Sequence, residues 1–336
     1  VLLLIDGLGD RYLARRGAGG ELARRRRGAM TSVFPSTTAS AITTTYTGRT
    51  PFEHGLTGWF SYFGEVGCVG APLPFTSRGD HLPLSARGEA AAAIYRGQGL
   101  FASLGVESHV VTWHDIADSL YNRHYCARAQ LHPYSRASEL GAQVERIVKS
   151  GPQRKFVYAY WPEYDRISHR YGSESPEAHA RLAEIDAAFG ELVSRLSGTE
   201  SVVIATADHG FVDVAPEESL ELPPALASLL KFPLCGERRV AYCHVHSREE
   251  FARRAEDWLG GRAEVRASAS LVEEGWFGDG AAHPRLGERI GDLALVMNGR
   301  YTVKDWIPGD PRHLHIGNHG GISEEEMLIP LILEKT

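Results

Sequence analysis

The sequence predicts an α/β fold. It has a mostly parallel central sheet with helices on both faces, and a small α+β insertion. Three observations predict it. Apolar, strand-like runs end in Asp or His: Val1–Ile5 before Asp6, 156–161 before Asp165 and His169, and 201–207 before Asp208 and His209. Segments with helical apolar spacing alternate with those runs, as parallel sheets require. After residue 211 the texture shifts to short strand signals around one helix.

The elements follow in order. Residues 1–5 read as a buried strand. Residues 32–35 read as extended, since the residue before Pro35 is pushed toward β. Ser36-Thr37-Thr38-Ala39-Ser40 suits a helix N-terminus, and Gly48 suits its end. Residues 60–90, rich in Gly, Pro and aromatics, are expected to form a loop over the site. Residues 92–104 are expected to be helical, and 108–113 a strand. Residues 138–149 place Leu140, Val144, Ile147 and Val148 on one helical face. Ser175-Pro176 opens a long helix by cap-plus-proline logic. Strand signals at 239–245, 264–267 and 293–297 surround a helix at 248–259. A last strand covers 328–333. The expected domains are a core of 1–211 with 301–336 and an insertion of 212–300. No internal repeat or low-complexity tract interrupts this pattern.

At 336 residues the chain is long enough for one large core with an insertion. Its net charge of −6 argues against a nucleic-acid binder, which carries a basic excess, so no stable nucleic-acid binding is expected. Arg24-Arg25-Arg26-Arg27 reads as the solvated end of a helix. Cys68, Cys126, Cys235 and Cys243 lack metal-knuckle spacing and read as free thiols. No apolar run approaches the ~20 residues of a membrane span. Because the chain starts inside a strand without Met, a missing native N-terminus is expected. The compartment stays open, with cytoplasm favoured over export, and the oligomeric state is not legible.

Asp165 and His169 stand one helical turn apart, so one metal can use both. The same spacing arises by chance on many helices. Asp208 and His209 are neighbours and point to opposite faces of a regular strand, so sharing a metal requires the chain to turn. Gly210 supplies that turn. An ordinary strand-end turn is the plainer alternative. His319 lies among Gly317, Gly320 and Gly321, with His313 and His315 as nearby competitors. Thr38, at a helix N-terminus, has oriented N–H groups that favour a phosphoryl group. A plain cap is the alternative, and Ser36 or Thr37 offers the same hydroxyl. Together, three Asp and three His suffice for two zinc ions.

Taken jointly, these segments resemble the alkaline phosphatase superfamily, in its type I phosphodiesterase/nucleotide pyrophosphatase branch. The carrying motifs are Leu4-Ile5-Asp6-Gly7, Phe34-Pro35-Ser36-Thr37-Thr38, Thr47-Gly48-Arg49-Thr50-Pro51 with His54-Gly55, Trp161-Pro162 with Asp165 and His169, Ala207-Asp208-His209-Gly210, and His319-Gly320-Gly321. They run in the family's order along nearly the whole chain. The resemblance implies that Asp165, His169 and His319 hold one ion. Asp6, Asp208 and His209 hold another, with Thr38 as nucleophile and oxygen ligand. Zinc is the expected metal, with manganese, iron and cobalt also fitting such ligands. It further implies hydrolysis of phosphodiester or pyrophosphate bonds of a small phosphorylated substrate such as a nucleotide. A phosphothreonine would be the intermediate.

Monoester or phosphonate hydrolysis is the alternative, and a silent metal-binding scaffold a remoter one. Better-known members carry an aromatic after the nucleophile, where this chain has Ala39. Ala39 is expected to contribute its backbone N–H. Tyr160 and Trp161, or Tyr164, are expected to supply an aromatic wall, with strand-end packing as their alternative role. His283-Pro284-Arg285 either overhangs the pocket or packs within the insertion.

Overall fold

A computed structural model describes residues 1–310, 312 and 314–336, the side chains of Ala90 and Ala91 apart. The chain divides into two compact units. The first comprises Val1–Ser32, Gln98–Phe211 and Glu324–Thr336; the second comprises Val33–Gly97 and Val212–Ser323. The expected boundaries keep 33–97 and 301–323 with the core, whereas the structure clusters both with 212–300. The reason is a shared apolar cluster: Phe34 and Val69 from the early excursion pack with Val240, Tyr242 and Phe277 from the late one.

The first unit is built on a seven-stranded mixed sheet. Its strands are β1 (Leu2–Ile5), β2 (Arg26–Thr31), β3 (Glu107–Trp113), β4 (Gln130–Tyr134), β5 (Lys155–Trp161), β6 (Val202–Thr206) and β7 (Leu328–Lys335). The spatial order is β2-β7-β6-β1-β5-β3-β4. The five strands from β6 to β4 run parallel, while β7 is antiparallel to both β6 and β2. In the register, Leu4 lies between Tyr160 and Thr206, so β5, β1 and β6 end side by side. Chain order reverses around β1, and such a switch point is where open α/β sheets bind ligands.

One sheet face carries Leu3, Ile5, Val111, Val157, Ala159, Val203 and Ala205. These pack with Leu140, Val144 and Ile147 of the helix Ala137–Val148 and with Ile185, Phe189 and Leu192 of the helix Pro176–Arg195. Each such side chain, fully buried, contributes roughly 1.5–3 kcal/mol. Ser175 caps the longer helix, accepting from the Ala178 N–H at 3.1 Å, and Pro176 follows it. The opposite face carries Leu4, Val110 and Tyr158, also buried.

The arginine run is divided. Glu21–Arg24 is one helical turn, and Arg26 already belongs to β2. Pairing with β7 draws it into the edge of the sheet, where charge discourages further strand addition. Arg26 pairs there with Asp10. The helix expected at 92–104 is only two short 3-10 segments, Glu89–Ala93 and Leu100–Ala102. Gly97 sits at φ +76°, and a Cβ on Gly99 would stand 1.8 Å from the Tyr125 carbonyl oxygen, so a regular helix does not pass.

In the second unit, the expected loop at 60–90 contains a three-stranded antiparallel sheet, Ser61–Phe63, Cys68–Ala71 and Thr76–Ser77. A four-stranded antiparallel sheet orders Cys235–Gly236, Val240–Cys243, Leu293–Met297 and Ala263–Ala267. The helix Arg248–Leu259 buries Phe251, Ala255 and Leu259. The helix Thr38–Thr47 ends at Gly48, φ +68°. None of the four cysteines forms a disulfide; Cys235 pairs across its ladder with Tyr242. His283 is buried and donates its backbone N–H to Phe52, a packing role within this unit. Among the described residues, no helix is long and apolar enough to cross a membrane.

Candidate active site

The first unit gathers five of the six expected ligands at the ends of β1, β5 and β6. Asp6 leaves β1 and is 2% exposed; Asp208 and His209 leave β6 and are equally buried. Ligand atoms of these three lie within 4.8 Å of one another. His209 Nε2 stands 3.3 Å from Asp6 Oδ1, 3.5 Å from Asp208 Oδ2 and 3.8 Å from Asp165 Oδ1. Asp165 and His169 occupy the helix Glu163–Tyr171, one turn apart, with Nε2 to Oδ1 at 3.4 Å.

The turn after β6 solves the problem of adjacent ligands. The Gly7 N–H donates to Asp208 Oδ1 at 3.0 Å, and the His209 N–H donates to the same oxygen at 3.1 Å. Ser32 Oγ donates to the Asp208 carbonyl. His209 Nδ1 lies 3.1 Å from the Gly210 carbonyl. A carbonyl only accepts, so Nδ1 carries the proton and Nε2 is the lone-pair nitrogen. That nitrogen faces the carboxylates, an arrangement that calls for a cation.

The carboxyl groups say the same. Asp6 Oδ1 and Asp208 Oδ2 are buried with no hydrogen-bond donor among the described residues. Burial, then the charge of Asp6, pushes the Asp208 carboxyl up to about 8; burial likewise raises Asp6. Buried oxygens without donors need an explanation, and a divalent ion supplies one. The residues present therefore fit a metal.

Packing leaves little room for error. Gly7 sits at φ +78°, and a Cβ there would lie 2.4 Å from the Phe211 ring. That ring meets His169 and His209 edge-on, with centroids at 5.1 and 5.4 Å. A Cβ on Gly210 would approach the Glu325 carbonyl oxygen to 2.0 Å. Phe211 carries no sequence signal beyond its place after Gly210.

The expected aromatic wall is not where the sequence suggests. Trp161 is buried in the core, its indole N–H bonded to Glu163 at 3.0 Å. Tyr164 is fully buried against Tyr12. Tyr160 is buried and donates its hydroxyl to Asp6 Oδ2. Alternation along β5 puts successive side chains on opposite faces, so Trp161 enters the core and Tyr160 reaches Asp6.

The second unit holds Thr38 and His319. Ser36 and Thr37 are fully buried and Thr38 is partly exposed. Ser36 Oγ donates to the Gly321 carbonyl at 2.8 Å, and Thr37 Oγ1 donates to Glu237 Oε1 at 2.6 Å. Thr38 is the first residue of its ten-residue helix. Ala39 is fully buried, so its methyl offers no wall to a ligand. His319 Nδ1 lies 3.2 Å from the Ser36 carbonyl, which again makes Nε2 the lone-pair nitrogen. His313 lies outside the described residues. Two residues absent from the sequence reading stand beside Thr37: Glu237, and Trp59, whose N–H donates to Glu237 Oε1 at 2.7 Å and whose side chain is exposed.

Buried carboxylates and imidazoles at adjacent strand exits of a mixed α/β sheet suit a metal-dependent hydrolase. A profile of the type I phosphodiesterase/nucleotide pyrophosphatase family matches residues 1–322, and the chain belongs to that family. It is 38% identical over 92 residues to the bis(5'-adenosyl)-triphosphatase ENPP4 of Bos taurus, a match covering 26% of this chain and 20% of the bovine protein. The human ENPP4 match is 37% identical over 78 residues, 22% of this chain and 17% of that protein. These matches span about a fifth of the relatives' length. Murine ectonucleotide pyrophosphatase/phosphodiesterase 5 shares the fold, with a TM-score of 0.72, 18% identity, and coverage of 98% of this chain and 86% of that one. An inactive variant of the same murine protein in complex with AMP gives 0.70 with the same identity and coverage.

Proposed function

We propose that the protein hydrolyses phosphodiester or pyrophosphate bonds of small substrates, nucleotides among them, through Thr38. The observation that carries this reading is the buried Asp6–Asp208–His209 cluster, in which Asp6 Oδ1 and Asp208 Oδ2 lack donors among the described residues and stand near an imidazole lone pair. Asp6, Asp208 and His209 would hold one divalent ion, with Thr38 as its oxygen ligand. Asp165, His169 and His319 would hold a second, an assignment resting on the family resemblance. When bound, zinc or a similar ion supplies positive charge that favours ionisation of the hydroxyl and offsets charge on the phosphoryl oxygens.

The chain's own groups do the rest. Thr38 Oγ1 attacks phosphorus as the bond to the leaving oxygen breaks, and the hydroxyl proton passes through solvent to that oxygen. Backbone N–H groups at Thr38 and Ala39 hold the equatorial oxygens. Water then attacks the phosphothreonine, releasing the phosphorylated product and restoring the hydroxyl. The partial exposure of Thr38, beside buried and bonded Ser36 and Thr37, supports it as the nucleophile. No arginine adjoins Thr38 in the sequence, which supports diesters over monoester dianions. The AMP complex of the murine protein and the dinucleotide activity in the ENPP4 name support nucleotide substrates.

Three measurements test this. Anomalous scattering should find metal at Asp6/Asp208/His209; an empty site after metal soaking refutes the reading. Bis-p-nitrophenyl phosphate should be a better substrate than p-nitrophenyl phosphate; the reverse preference makes the enzyme a monoesterase. Thr38→Ala should lose several orders of magnitude in kcat, and near-normal turnover moves the nucleophile elsewhere.

A further inference from the structure

Thr37 is the N-cap of the Thr38–Thr47 helix, yet its side chain makes no capping bond. A threonine in that place ordinarily accepts from a first-turn N–H. Here the hydroxyl is committed elsewhere, donating to Glu237 Oε1 at 2.6 Å. The same oxygen takes the Trp59 N–H at 2.7 Å. Both bonds end on a carboxylate and are therefore stronger than neutral ones.

Glu237 is itself firmly held. It follows Gly236 in a hairpin, with its N–H on the Val240 carbonyl at 2.8 Å. Gly236 and Phe60 exchange backbone hydrogen bonds, which ties the Trp59 segment to the same hairpin. Gly320, at φ +102°, passes so close that a Cβ there would come within 2.6 Å of Glu237 Cβ. One residue thus touches three segments: the turn before Thr38, the stretch before Phe60 and the loop carrying His319. That loop also grips the turn, through Ser36 Oγ on Gly321 and His319 Nδ1 on Ser36.

We propose that Glu237 is a positioning residue for the reaction. It turns the Thr37 hydroxyl away from its helix, so that first-turn N–H groups are not consumed by a cap. It also fixes where Thr38 stands relative to His319. The inference rests on Thr38 being the nucleophile. Glu237 acts through Thr37 and touches no reacting atom in this scheme.

The test is a double-mutant cycle on the full chain with metal, using bis-p-nitrophenyl phosphate. Glu237→Ala and Thr37→Val should each lower kcat roughly ten- to a hundredfold, the scale of a small misplacement at a reacting centre. KM should change by less than about threefold, since ground-state binding is little affected. The double variant should be no slower than the slower single one. Glu237→Gln keeps the accepting oxygen, and Thr37→Ser keeps the donor; both should retain most of kcat. Additive losses in the double variant, or a loss in Glu237→Gln equal to that in Glu237→Ala, overturn the inference. So does wild-type kcat in Glu237→Ala while Thr38→Ala is inactive. Activity in Thr38→Ala instead overturns the nucleophile assignment.

Discussion

Asp208→Asn should have opposite effects with and without metal. Asp208 is 1% exposed, its Oδ2 has no donor among the described residues, and Asp6 stands in the same buried cluster. Its carboxyl moves from an ordinary 3.8 up to about 8. The folded state thus holds this proton more tightly than the unfolded chain. The contribution of this group in the metal-free protein therefore falls as pH rises from about 4 to 8 and levels off above. At pH 7 this one group costs about 4 kcal/mol. Asparagine cannot ionise and avoids that cost, but gives weaker bonds to the Gly7 and His209 N–H groups. A net gain of roughly 1–3 kcal/mol is expected without metal. With metal at a thousand times its dissociation constant, the wild type gains about 4.1 kcal/mol that the variant should not. For a chain of this size each kcal/mol moves Tm by roughly 1–2 °C. Scanning calorimetry in chelator and in zinc, at pH 7, should show the two proteins exchange rank. A variant less stable than wild type in chelator, with no metal effect on either, refutes the cation argument.

Three other changes have defined outcomes. Tyr160→Phe removes the donor to Asp6 Oδ2 and should weaken metal binding roughly 10–100-fold in chelator competition; unchanged affinity leaves Tyr160 a packing role only. Burial, then Arg289, pushes His54 down to about 3 from an ordinary 6.5. Its stabilising contribution is complete above pH 6.5 and falls away toward pH 3, at up to about 1.4 kcal/mol per pH unit; urea melts of His54→Gln should show a flatter acid limb than wild type, and identical limbs contradict this. Phe189→Ala, at a fully buried position, should cost about 3–5 kcal/mol by denaturant unfolding, and a loss under 1 kcal/mol would contradict its core placement.

Five of the six candidate ligands were legible because each follows a strand whose composition announces it; His319 stood out only by the glycines around it. Asp6 ends an unbroken apolar run, and Ser175-Pro176 marks the start of a twenty-residue helix. What the sequence hid is of two kinds. One is the side of a strand: nothing local says that Trp161 enters the core while Tyr160 bonds Asp6. The other is distance along the chain. Glu237 meets Thr37 from 200 residues away, in a segment that reads only as insertion. The expected helix at 92–104 failed for a local reason, since apolar composition outweighed two glycines, Gly97 and Gly99, whose backbone does not follow a helix. The division into units failed because 33–97 contains its own strands and core side chains, which composition presents as a loop.

Gly7 and Gly210 have a practical consequence for anyone altering this protein. The turns that carry Asp6 and Asp208 run through a passage too narrow for a methyl group, bounded by the Phe211 ring and the Glu325 carbonyl. The Asp208 carboxylate itself ties these turns together through the Gly7 and His209 N–H groups. Asparagine keeps an oxygen for both donors, so Asp208→Asn should leave a folded protein. Replacing either glycine with alanine should instead disturb the passage itself, and such variants will report on folding.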